Sequence, residues 1–212
     1  MNIRRFDRTP STMIEAARWA EEGAPHLSAV VADEQTAGQG RHGHSWLSPR
    51  GGLYVTFILR LQTPAPILTL ALGLAVREAV DTPCDLRWPN DVMIGARKLA
   101  GILTTVHGDA ILAGIGVNLC DPGHPEAAWL EGVSRDALLE RLHKQVAVHL
   151  ELEPAEVLRL FTQSSSYVLG RRVTVEGLGT GVTDGLTREG FLRLLRDDGS
   201  RVTVYAGGVR PA

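Results

Sequence analysis

Arg87–Val117 reads RWPNDVMIGARKLAGILTTVHGDAILAGIGV. Short apolar runs between turn residues mark it as β structure. Leu86–Trp88 and Val92–Ile94 are expected as short strands around Pro89-Asn90-Asp91, with Gly95-Ala96-Arg97 as a turn. Leu99–Val106 and Ala110–Val117 are expected to pair through His107-Gly108-Asp109, a glycine-containing hairpin connection. Trp88-Pro89 places an aromatic before a rigid bend. Asn90 and Asp91 follow on that bend, where side chains can point into a cleft. Asp91 is suited to orient a magnesium ion or to hold a neighbouring base. Lys98 sits just past the turn, a point charge able to meet a phosphate, although a solvated hairpin-end lysine reads the same way. Gly114 and Gly116 lie at the end of the stretch, and Asn118 follows it. They suit a backbone lying against a flat ligand, or plain close packing of strands.

Moving outward toward the N-terminus, Pro64–Val80 is expected as a helix buried on most sides, and Leu53–Leu61 (LYVTFILRL) as a strand. The apolar core of the helix, Ile67–Val76, is too short to span a membrane, which takes about 20 residues. Ser28–Ala32 is a short buried strand. Near the start, Thr12 and Glu15 have capping-box spacing, and the helix they open should turn Ile14, Ala17, Trp19 and Ala20 inward and stop at Gly23. Toward the C-terminus, Ser134–Leu150 has Leu138, Leu139, Leu142 and Val146 at helical spacing, and Pro154 opens a second helix to about Ser164. From Tyr167 the chain turns to short β runs: Arg172–Val175, Gly181–Leu186, Phe191–Leu195 and Arg201–Ala206. Asp197-Asp198-Gly199 is a hairpin turn. This tail is expected to form a small β-barrel, which divides the chain into residues 1–166 and 167–212.

The 212 residues suffice for one sizeable core, and the formal net charge of −2 shows no basic surplus of the kind that nucleic-acid binding needs. Cys84 and Cys120 have no metal-ligand spacing and read as reduced thiols in a cytoplasmic protein. MNIRRFDRTPST has charges with no apolar run behind them, unlike a secretory signal. Of 22 basic residues only Lys98 and Lys144 are lysines.

Asp33–Gly52 is a long polar loop, and loops of that length are usually functional or disordered. Its centre, Gln35–Trp46, reads QTAGQGRHGHSW. Gly38, Gly40 and Gly43 permit close approach of backbone to a ligand, and successive N–H groups can form an anion nest. Arg41 adds a planar charged fork for carboxylate or phosphate. Gln35 offers a donor and an acceptor, and Trp46 anchors the far end or packs on a ligand. Neither the P-loop pattern nor GxGxxG opening a helix is present.

Taken together, Ser11-Thr12, ADEQTAGQGRHGHSW, RWPNDVMIGARKLAGI and GIGVN resemble, in order and spacing, the biotin–protein ligases. The resemblance is strong over Thr9–Asn118 and looser beyond. It implies an α+β catalytic domain similar to the class II aminoacyl-tRNA synthetases and biotin–lipoate ligases, followed by a C-terminal SH3-like β-barrel. It implies ATP with Mg2+, biotin as substrate, and a lysine on a biotin carboxyl carrier protein domain as acceptor. Lys98 and Arg41 match the family's catalytic cations. Ser11, Thr12, Gln35, Gly38, Gly40, Arg41, Lys98 and Gly101 match its biotin contacts. Gly43, Trp46, Asn90, Asp91, Lys98, Gly116 and Asn118 match the adenylate side. Three positions depart from the family: Gln39 and His44 where arginine is common, and Met13 where asparagine often follows Ser-Thr. The loop thus carries less fixed charge, so the adenylate is expected to be held less tightly unless a group such as His44 compensates. Only about ten residues precede the first helix, so the expectation is a short form without an N-terminal DNA-binding domain, with no DNA or membrane partner and with a homodimer as a candidate assembly. The alternatives are a lipoate–protein ligase, whose RRxSGGGxVxHD-like loop is absent here, and a non-catalytic biotin-binding module.

Overall fold

The computed structural model describes residues 2–61 and 65–212. Its strands and helices follow in the order β1 (Ile3–Phe6), α1 (Thr12–Glu21), β2 (Ser28–Ala32), β3 (Leu53–Leu59), α2 (Ala65–Val80), β4 (Asp85–Arg87), β5 (Asp91–Ile94), β6 (Arg97–His107) and β7 (Ala110–Val117). Then come α3 (Arg135–Leu150), α4 (Pro154–Gln163), β8 (Leu169–Val175), β9 (Gly179–Leu186), β10 (Leu192–Arg196), β11 (Arg201–Val204) and β12 (Val209–Pro211). Pro64, the expected first residue of α2, lies outside the described residues.

The first sheet has seven strands in the order β1-β2-β3-β7-β6-β5-β4. β1 runs parallel to β2, and the other pairs are antiparallel. β3 lies between β2 and β7 with both faces covered, which is why LYVTFIL is apolar throughout and buried at every position. The side-chain period of two sorts this sheet into two faces. Val31, Val55, Phe57 and Ala113 join α2, α3 and α4 in the main core. Val30, Ile58, Ala110 and Leu112 face the other way, onto Met13, Ala16 and Ala20 of α1.

The α1 start differs from the expected capping box. Ser11 is the N-cap, its Oγ accepting from the Met13 N–H, and Thr12 is the first helical residue. Glu15 is drawn away to Thr9 and Arg18. This places Met13, Ala16 and Ala20 inward, while Ile14, Ala17 and Trp19 are only partly buried. Leu138, Leu139, Leu142 and Val146 are buried along α3 as their spacing requires, and Ser134 caps that helix.

The C-terminal strands form a five-stranded antiparallel sheet in the order β11-β10-β9-β8-β12. Among the described residues no pairing joins β11 to β12, so the ladder is open where a closed barrel was expected. β12 was not anticipated at all. This sheet shares the main core through Val173, Leu192, Leu194 and Val209. It is also tied down by the buried Trp88 indole N–H, which donates to the Gly190 carbonyl at 2.9 Å.

Candidate active site

A cleft of about 640 Å3 opens on the α1 face of the seven-stranded sheet, beyond the N-terminus of that helix. Its floor follows from the period of two. The β7 residues Ala110 and Leu112 carry side chains under α1, and the next two on that face are Gly114 and Gly116. Gly101 and Leu103 of β6 pair with Gly116 and Gly114. With three glycines, the sheet presents bare backbone where side chains would otherwise fill the space.

The glycines are required by their neighbours. A Cβ on Gly114 would stand 2.8 Å from Met13 Sδ, and one on Gly116 would stand 2.4 Å from Trp46 Nε1. A Cβ on Gly101 would meet Trp46 Cζ3 at 3.0 Å and Lys98 Cε at 3.1 Å. The flat group lying against this backbone is therefore the protein's own Trp46 indole. Its N–H is buried and has no hydrogen-bond partner among the described residues.

Ser11, Thr12 and Gln35 form one wall. The Gln35 Oε1 accepts from both the Thr12 N–H (2.8 Å) and its hydroxyl (3.1 Å), and Nε2 donates to Ser48 Oγ at 2.8 Å. The buried Thr56 hydroxyl donates to Thr12 Oγ1 at 2.8 Å. This network uses up the Gln35 acceptor, so what the side chain still offers is one N–H.

The opposite wall carries the charge. The two oxygens of Asp91 meet two different cations: Oδ1 lies 2.5 Å from Lys98 Nζ, and Oδ2 lies 2.7 Å from the Arg87 guanidinium. Asp91 therefore aims Lys98 rather than presenting a free oxygen to a metal, and among the described residues no group of three His, Cys, Asp or Glu could hold one. Lys98 Nζ also lies 5.2 Å from the Trp46 ring centroid. Arg41 reaches across from the loop and donates to Asn90 Oδ1 at 3.0 Å. Partial burial pulls its guanidinium below the ordinary range, and Asp91 opposes part of that shift.

Most of the candidate residues line this cleft: Ser11, Thr12, Gln35, Gly40, Arg41, Trp46, Asn90, Asp91, Lys98, Gly101 and Gly116. Three do not. Gly38 is buried beneath the loop, where a Cβ would press on the Trp46 carbonyl at 2.4 Å. Gly43 sits at φ 77 with open space around it, so its role is the turn. Asn118 is buried and spends its amide on the Lys98 and Ala128 carbonyls, and it borders a smaller adjoining pocket of about 210 Å3. Trp46, Lys98 and Arg87 line both cavities. Sequence reasoning missed Arg87, although its spacing to Asp91 was visible. It also missed Thr174, Glu176 and Arg210 of the C-terminal sheet, which face the cleft from far along the chain.

Such a site belongs to an α+β protein that gathers fixed cations and hydrogen-bonding groups around a small-molecule cleft. Residues 5–120 match the model of the Biotin/lipoate A/B protein ligase family, and the chain belongs to that family. The bifunctional ligase/repressor BirA of Bacillus subtilis is 38% identical over 126 residues, covering 53% of this chain but only 39% of that protein. This chain thus spans well under two thirds of that relative's length. The biotin–[acetyl-CoA-carboxylase] ligase of Mycobacterium tuberculosis is 30% identical over an alignment of 230 positions, covering 95% of this chain and 85% of that protein. The solved biotin protein ligase from Aquifex aeolicus in complex with biotin and ATP aligns with a TM-score of 0.88 at 30% identity, over 100% of this chain and 99% of that one.

Proposed function

We propose that the protein activates biotin with ATP to biotinyl-5′-AMP and transfers the biotinyl group to a lysine of a biotin carboxyl carrier domain. The observation that carries this reading is the convergence of Arg41, Lys98 and the Ser11–Thr12–Gln35 wall on one glycine-floored cleft. In the first step the biotin carboxylate attacks the α-phosphate and pyrophosphate leaves. Both reactants are anionic, so the approach needs cations already in place. Asp91 and Asn90 hold Lys98 and Arg41 in direction before substrate arrives. Fixed charges of this kind need no reorganisation during reaction, and each is worth about 3 kcal/mol of barrier. The Ser11–Thr12–Gln35 wall suits the urea of biotin, with the remaining Gln35 N–H as donor.

Gly40, Gly116 and Trp46 border the adenylate and Gly101 the biotin, and Asn118 positions the backbone behind Lys98. Magnesium, expected with ATP, would arrive on the triphosphate, since among the described residues no carboxylate cage is present for it. In this reading residues 1–166 form the catalytic unit and residues 167–212 a cover on the cleft. Pyrophosphate–ATP exchange tests the first step. Exchange should require biotin. Exchange driven by lipoate in its place would favour the sister activity, and none with either acid would refute the assignment.

A further inference from the structure

A side passage of about 160 Å3 adjoins the cleft, with residues of both sheets in its lining. It meets the cleft at Arg41, Trp88, Pro89, Ile102 and Leu103, which line both spaces. Its lining continues to Thr69 and Thr104, whose hydroxyls lie 2.9 Å apart, and to Phe191 and Tyr205. The rings of Phe191 and Tyr205 pack edge-on with centroids 4.9 Å apart, and Tyr205 is 71% exposed, an unusual position for a large aromatic. Arg41 is the one charged residue along its described lining, and no carboxylate is present there.

We infer that this passage admits the acceptor lysine for the second step. The inference rests on the proposed function, which needs a third reactant, an amine on a macromolecule, to reach a carbonyl held near Arg41. The chemistry of the walls suits that amine stage by stage. At the mouth, the aromatic pair attracts the incoming ammonium through its ring faces. Further in, Pro66, Ile102 and Leu103 cover the alkyl stem. Without a carboxylate partner, and with Arg41 ahead, burial disfavours the charged form, so the lysine sheds its proton to solvent and arrives as the neutral nucleophile. The amine lone pair then forms the C–N bond to the anhydride carbonyl. The C–O bond to phosphate breaks, AMP leaves with that electron pair, and the second amine proton passes to water. A passage lined by carboxylates would instead trap the ammonium as an ion pair.

The test separates the half-reactions. Thr104→Phe fills the passage, and Tyr205→Ala removes its exposed ring; neither residue lines the main cleft. Biotin-dependent pyrophosphate exchange should remain at the wild-type rate in both. Single-turnover transfer from preformed adenylate to the carrier domain should slow at least tenfold in Thr104→Phe. In Tyr205→Ala the KM for carrier should rise several-fold, while transfer to hydroxylamine, which needs no long passage, stays near wild type. If Thr104→Phe misfolds, seen as lost exchange, Tyr205→Ala alone decides. Wild-type carrier transfer in the folded variants overturns the passage. Absence of exchange in the wild type would instead mark failure of the proposed function.

Discussion

Gly116→Ala adds a single methyl group to the floor of the cleft, where the added Cβ would lie 2.4 Å from Trp46 Nε1 and 2.5 Å from Cε2. Ordinary contact begins at 3.4 Å, so the indole must retreat by about 1 Å. A rigid ring cannot do this by swinging a flexible end aside. The loop must move with it, because the Trp46 backbone N–H donates to the Gly38 carbonyl at 2.9 Å and Ser48 Oγ donates to the Trp46 carbonyl at 3.1 Å. Arg41 belongs to the same loop, so its 3.0 Å bond to Asn90 is disturbed. Overpacking costs about 1–3 kcal/mol, and a misplacement of about 1 Å in an active site costs roughly 100-fold in rate. Because the strain falls on a surface loop and not on the main core, the melting temperature should fall only slightly while biotin-dependent pyrophosphate exchange drops by about 100-fold. Gly101→Ala is the internal comparison: its contacts are looser, at 3.0 Å and 3.1 Å, and one of them is the movable Lys98 stem. It should be the milder variant. Wild-type exchange in Gly116→Ala, or a greater loss in Gly101→Ala, would show that the Trp46 indole does not couple the floor to Arg41.

Lys98→Ala removes a cation that Asp91 aims into the cleft, and adenylate formation should fall about 100- to 1,000-fold with the fold intact; near-normal turnover would show that the catalytic charge lies elsewhere. Gln39→Arg adds a fixed cation at an exposed position lining the cleft and should slow release of the adenylate, measured by rapid dilution; equal release in variant and wild type would count against a charge-poor loop. His143 packs on Phe57 with a buried Nε2, and burial lowers its pKa below the ordinary value of about 6.5. The folded state thus prefers the neutral ring: the contribution to stability is full above pH 6.5 and is lost as acid drives protonation through the lowered folded value. Urea unfolding between pH 7.5 and pH 5 should therefore show a shallower acid loss in His143→Leu than in wild type; identical slopes would assign the loss to other groups.

The elements most legible in the sequence are those with a strong period or a strong turn. β2 and β7 lie where short apolar runs bounded by turn residues put them, and the α3 core residues where helical spacing puts them. β1 escaped because Ile3-Arg4-Arg5-Phe6 is a short, charged edge strand, and β12 because it is three residues ending in proline. The start of α1 was misplaced by one residue, since Ser11 and Thr12 are both competent caps and the choice falls to Gln35 and Thr56, which are distant in sequence. By sequence alone the glycines of β7 suit a flat ligand or close strand packing; in the fold Met13 lies against Gly114 and the Trp46 indole against Gly116. That the occupant is Trp46 depends on strand register and on the loop's return path. The same holds for the C-terminal residues facing the cleft, whose contribution exists only once two sheets have packed.

The proposed role of Arg41, Lys98 and the glycine floor in transferring biotin to a protein lysine can be read by mass spectrometry of a biotin carboxyl carrier domain incubated with the protein, ATP, magnesium and either biotin or lipoate. A single biotin-sized mass gain is expected, confined to one lysine and dependent on ATP. A carrier left unchanged by biotin, or modified only by lipoate, would contradict it.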